Sequence, residues 1–179
     1  MKKPLVAFAV LSVLFPVHGA ATAEPSHNGP RIALAFHTMY GVDGPFVGEA
    51  NAIRGVSGDD LPWEVEHFVN GTLTTNGHLK VVVRGLVFKN VDEVPPEKRG
   101  KNDEPDFRGV VSCLTESDES ATPTVNVVSD GFHATEEGDA DIDAKLDLPN
   151  PCVAPIVFVT GDDPSKWFAV TGFEKEEGD

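Results

Sequence analysis

The sequence predicts an all-β protein: an antiparallel β-sandwich, or a partly open barrel, with one disulfide. Three observations carry this. β-branched and aromatic residues come in short runs, such as "RIALAFHT" (31–38), "TVNVVS" (124–129) and "CVAPIVFV" (152–159). Gly, Pro, Asn and Asp punctuate the runs, and no stretch sustains the period of about 3.6 that marks an amphipathic helix. Two cysteines, Cys113 and Cys152, fall inside or at the start of expected strands.

Ahead of the first strand, Lys2 and Lys3 precede the uncharged apolar run "PLVAFAVLSVLFPV" (4–17), and "ATA" (21–23) supplies small residues before Glu24. This is the pattern of an export signal over 1–23, removed to leave Glu24 as the new N-terminus. The apolar run is shorter than the about 20 residues that a permanent span needs. The rest divides into a disordered segment at 24–30, a single β domain at 31–173 and an acidic tail at 174–179. The expected location is secreted or periplasmic, soluble after cleavage, with no stable membrane insertion. An exported chain with two cysteines is expected to join them, so Cys113 and Cys152 form the disulfide. Closing a loop of about 40 residues stabilises by about 4 kcal/mol on the chain-entropy account.

Within the domain, "GVDGPFVGEA" (41–50) is rich in turns. "WEVEHFV" (63–69) alternates, with Trp63, Val65 and His67 expected on one face and Glu64, Glu66 and Phe68 on the other. "NGTLTTNGHLKVVVRGL" (70–86) holds two β-prone runs around Asn76-Gly77, a pair suited to both positive-φ positions of a type I′ turn, and so predicts a hairpin. Residues 89–107 carry three prolines and many charges with no apolar period, and read as a long surface loop. Strands resume at 109–114, 124–129, 139–148, 152–159 and 166–173, with an acidic loop at 115–123.

Charge narrows the partners. The chain has 14 basic and 29 acidic residues, and losing Lys2 and Lys3 takes its formal charge from −15 to about −17. Nucleic acid is not expected as a partner, because its binding rests on neutralising phosphates. An anionic membrane surface is disfavoured for the same reason.

Few motifs point to chemistry. Asp139, Asp141 and Asp143 recur at every second position of "EEGDADIDAKLDL" (136–148), which in a strand puts them on one face. Such a row offers oxygen ligands for Ca²⁺, but the ion takes about six to eight of them and the chain lacks the loop, glycine and terminal glutamate of an EF-hand. An amphipathic edge strand with a charged solvent side accounts for the same pattern. His37, His67, His78 and His133 are the alternative metal ligands; none forms an HxH, HxxH or HExxH group, so a site would have to assemble across strands. No catalytic residue is assigned: "GVSGDD" (55–60) has Asp59 where a nucleophile elbow around Ser57 requires glycine. Three apolar-Arg-Gly-apolar steps, at Arg54, Arg84 and Arg108, read as strand punctuation, the glycine marking a bulge or close approach and the arginine reaching a carboxylate. Convergence of the three on an anion is the alternative.

"GTLTTNGHLKVVVRGLVF" (71–88) resembles the hairpin of chordin-type (CHRD) domains, extracellular β-domains in which a Gly-Thr strand, an Asn/Asp-Gly turn and a V-x-V-x-G-L strand recur. "VPPEKRGKNDEPDF" stands where that family has a His-rich stretch. The resemblance implies an extracellular binding or structural module with no established chemistry. That is also the expected function here, with no cofactor assigned. Two alternatives remain: an extracytoplasmic metal-dependent enzyme built on the four histidines, and a low-affinity Ca²⁺-binding surface protein.

Overall fold

The structure, a computed structural model, describes residues 29–116 and 123–174. The expected export signal, most of the 24–30 segment, part of the acidic loop and all but Glu174 of the tail lie outside the described residues. Two sheets face each other as the sequence predicts. The first has the order β1 (Ile32–Phe36), β4 (Trp63–Thr74), β5 (His78–Phe88) and β9 (Ala140–Lys145), antiparallel throughout. The second runs β2 (Met39–Gly41), β11 (Lys166–Thr171), β10 (Val153–Thr160), β6 (Asp106–Leu114) and β7 (Thr124–Val128). Two short strands join its margins: β3 (Ser57–Gly58) pairs parallel with β11, and β8 (Phe132–His133) pairs with β6. No helix among the described residues is long and apolar enough to cross a membrane.

The space between the sheets is filled from both sides. Trp63 stacks on Phe168 (centroids 4.1 Å apart) and meets Phe88 at 4.0 Å, while Phe107 closes edge-on against Trp63 and Phe168. Each such ring pair adds about 0.5–1.5 kcal/mol beyond the area it buries. Towards the other end the sheets come together where β6 carries glycine: a Cβ at Gly109 would sit 2.6 Å from Leu79 Cδ2 of the facing sheet.

The second sheet has another core on its far side. Residues 42–62, between β2 and β4, cross that face as a strap. The strap opens with a 3₁₀ turn at Gly44–Phe46, capped by the Asp43 carboxylate, which accepts from the Gly44 amide at 2.8 Å. Phe46 meets Trp167, which in turn meets Phe158, both at 6.2 Å. The strap's tip is a tight two-residue turn in which Ile53 and Val56 exchange backbone hydrogen bonds around Arg54 and Gly55, with φ of 49° and 80°. From this tip Arg54 Nη1 donates to the Ser112 carbonyl of β6 at 3.0 Å, and Asn126 Nδ2 of β7 donates to the Arg54 carbonyl at 3.1 Å. The type I′ geometry expected at Asn76-Gly77 is thus found at Arg54-Gly55.

At the β4–β5 hairpin the connection has three residues. Gly77 alone is at positive φ (82°), and its amide donates to the Thr74 carbonyl at 2.9 Å. This is a type I turn closed by a left-handed glycine, the usual three-residue alternative. The alternation expected over 63–69 also breaks. The pairing slips between Val65 and Phe68, where Glu66 and His67 stand opposite Gly85, so His67 is exposed. Nor is 89–105 merely a surface loop. Val94 is fully buried, and the Asn102 side chain donates to the Glu104 and Thr135 carbonyls and accepts from the Glu104 amide. Saturating one buried side chain in this way replaces the apolar period that the segment lacks.

Candidate functional site

Asp141 and Asp143 lie, as their spacing predicts, on the solvent face of β9, the outer strand of the first sheet, and Asp139 immediately precedes it. Across them stand the basic residues of β5. Arg84 Nη2 donates to Asp141 at 2.8 Å and its Nε lies 3.9 Å from Asp139; Asp143 meets His78 at 2.6 Å and Lys80 at 3.0 Å. Asp139 also accepts from the Gly85 amide at 3.0 Å. Hydrogen bonds from His78 and then Lys80 hold Asp143 below the ordinary carboxylate range. The row is therefore a cross-strand charge ladder in which every carboxylate has a cationic neighbour.

The four histidines are dispersed. His37 follows β1, His67 occupies the β4 irregularity, His78 opens β5 within the ladder, and His133 is on β8. Among the described residues, no three His, Cys, Asp or Glu side chains gather as a metal ion requires. The arginines are equally separate. Arg84 faces outward from the first sheet, where it also donates to the Val83 and Ala140 carbonyls. Arg108 points away from the opposite face, 3.3 Å from Asp162. Arg54 differs from the expectation: it sits on a turn and its partner is a backbone carbonyl.

Cys113 and Cys152 are joined, their Cα atoms 4.9 Å apart. The bond links neighbouring strands of one sheet, where Leu114 of β6 pairs with Val153 of β10. It also anchors the segment that forms one wall of a cleft of about 620 Å³. This cleft opens at the hairpin end of the sandwich. Leu146–Cys152 and Pro155 make one side; Leu73, the Thr74–Gly77 turn and Ala33 of β1 make the other. Its apolar surface comes from Leu73, Leu148, Pro149, Pro151 and Pro155. Polar groups sit at the rim: Thr75, Asn76, Asp147 and Lys145, whose ammonium donates to the Asn76 carbonyl. The proline cluster of "LPNPCVAP" (148–155) was the available signal. Proline spacing by itself does not reveal which side of a segment becomes concave.

At the opposite end, Lys89 and Asp43 form an ion pair between two smaller hollows of about 210 and 510 Å³. Burial pushes the Asp43 carboxyl up, but hydrogen bonds from Lys89 and the Gly44 amide, with the Lys89 charge, bring it below its ordinary value. The hydrogen bond to Asp43 raises Lys89 in turn. Both charges are thus committed to each other, tying the end of β5 to the start of the strap. Comparison of the chain with protein-family models, with curated proteins and with solved structures finds no match.

Proposed function

We propose that the chain is an exported, soluble binding module and that its ligand seats in the cleft at the hairpin end. The observation that carries this is the cleft itself: leucines and prolines line it together with polar groups, and its volume is within the about 300–1,000 Å³ usual for ligand sites. The leader-like sequence at 1–23, the disulfide and the hairpin's likeness to chordin-type domains all agree with an extracytoplasmic role. The groups in the cleft favour holding a ligand over transforming it, since Lys145 donates to the Asn76 carbonyl and Asp147 forms no ion pair among the described residues.

The test is a thermal-shift screen of the full chain, produced with its own leader, against small molecules and peptides. Hits are repeated on Leu148→Trp, which fills the cleft from its wall. A ligand that raises the melting temperature of the native chain and not of Leu148→Trp supports the seat; ligands that stabilise both equally place it elsewhere.

A further inference from the structure

We infer that the ligand is an extended peptide that adds to the β1 edge as a fifth strand of the first sheet, with one apolar side chain in the cleft and a basic one against Asp147. This rests on reading the cleft as the binding seat. The starting point is the state of the four sheet edges. An edge strand turns unpaired N–H and C=O groups outward and accepts another strand unless something blocks it. At β9 the block is the row of aspartates. At β2 it is brevity, three residues packed under the start of β4, with β3 filling the rest of the β11 margin. At β7 the strap's tip is tied across the strand through Asn126. Among the described residues β1 has none of these: Ile32–Phe36 reads IALAF, with no charge and no proline, and Ile32 is 66% exposed.

The open edge and the cleft are continuous. Ala33 belongs to both, as the second residue of β1 and as part of the cleft wall beside Leu73. A strand laid along β1 projects alternate side chains towards the two faces of the sheet. Those directed inward near Ala33 meet the mouth of the cleft, where Leu148, Pro149 and Pro155 form an apolar seat. Backbone pairing then supplies affinity, and the seat selects which side chain sits at that register. The polarity of the partner follows from charge. Asp147 is exposed at the rim and has no ion-pair partner among the described residues, and acids outnumber bases 29 to 14 over the chain.

The probe is a display library of random peptides panned against the immobilised full chain, followed by the strongest selected peptide made synthetically with blocked ends. The expected peptides alternate apolar and polar residues and carry Lys or Arg. Saturating peptide should slow hydrogen exchange at the amides of residues 32–36. Methylating alternate peptide amides should abolish binding without touching the protein. Asp147→Lys, which turns the attraction for a basic side chain into repulsion, should weaken binding about tenfold or more, a change of about 1.4 kcal/mol or larger. Absence of any binder overturns the inference, as does a binder that tolerates amide methylation or protects amides away from β1. If such a binder, or a small molecule from the screen, still loses its hold on Leu148→Trp, the cleft remains the seat and only the strand addition fails. If nothing discriminates Leu148→Trp, the cleft reading fails with it.

Discussion

The outward faces of the two sheets solve the same problem in opposite ways. The first sheet leaves its face to solvent and covers it with paired charges, His78, Lys80 and Arg84 against Asp139, Asp141 and Asp143. The second hides its face under the strap, so that Val110, Ser112, Phe158 and Trp167 are as fully buried as the residues between the sheets. The strands register the difference. "DADIDAKL" alternates strictly, whereas "GVVSC" and "PIVFV" are nearly continuous apolar runs. Continuous runs mark strands covered on both sides. The five main strands of the second sheet are antiparallel, yet its central strands read like those of a buried parallel sheet because the strap does the work of a covering layer.

The largest effect that breaks this comparison is expected from matched phenylalanines. Phe158→Ala, facing the strap, should cost about 3–5 kcal/mol, as a core truncation does. Phe68→Ala, on the first sheet with 52% of its surface exposed, should stay within about 0.5 kcal/mol of the native chain. Urea midpoints measured at constant slope decide it; equal costs would mean the strap is no core at all. Next in size, Gly109→Val drives a side chain into Leu79 across the sheets and should cost about 1–3 kcal/mol. A neutral result would mean the sheets are free to separate there.

Smaller again is the ladder. Arg84→Gln should cost about 0–1 kcal/mol, and the loss should shrink in high salt, because its nearer partner, Asp141, is largely exposed. A salt-independent loss would assign the effect to its carbonyl contacts instead.

The finest distinction is in pH, where two carboxylates should act in opposite senses. The native value of Asp143 lies below its unfolded one, so its contribution is present above the unfolded pKa and is lost as pH falls through the native value. Asp143→Asn should flatten that acid limb. Burial, chiefly, raises Glu104 despite a hydrogen bond from the Asp162 amide. Its native state prefers the proton, so stability falls as pH rises from the unfolded value through the native one. Glu104→Gln should therefore be more stable than the native chain at neutral pH, and the advantage should vanish in acid. Melting temperatures across that range give both signs.

What could be seen in advance follows the same division. The first sheet was legible because one wet face imposes alternation, and "DADIDAKL" and the Asn76-Gly77 hairpin carry it openly. The strap was not, because its hold on the second sheet depends on long-range contacts, such as Arg54 with Ser112, that leave no local period. Turn chemistry misled for a related reason. Asn-Gly permits a two-residue turn, but the register of Thr74 with His78 decides which turn forms, and here Thr74 Oγ accepts from the His78 amide at 3.0 Å across a three-residue connection. Val94 and Asn102 were hidden inside a charged, proline-rich stretch, since one buried valine and one saturated amide suffice to seat it. The paired cysteines were legible from their even count and the leader-like sequence ahead of the domain. The cleft beside them was not, because concavity arises only when the 146–152 segment and the hairpin turn are brought face to face.

The two aromatic clusters have one further consequence. The chain holds two tryptophans, and each cluster takes one: Trp63 among Phe88, Phe107 and Phe168, its indole N–H donating to Asp59 at 2.8 Å, and Trp167 between Phe46 and Phe158, its N–H buried without a partner among the described residues. Nature has thereby installed two optical probes, one per core, with different polar surroundings. Trp63→Phe leaves a chain whose tryptophan emission reports the seating of Phe46 and the strap on Trp167, and Trp167→Phe leaves one that reports the contact between the sheets together with the Asp59 end of the strap. Recorded side by side during unfolding, the two spectra show whether the strap lifts first or the molecule opens as one.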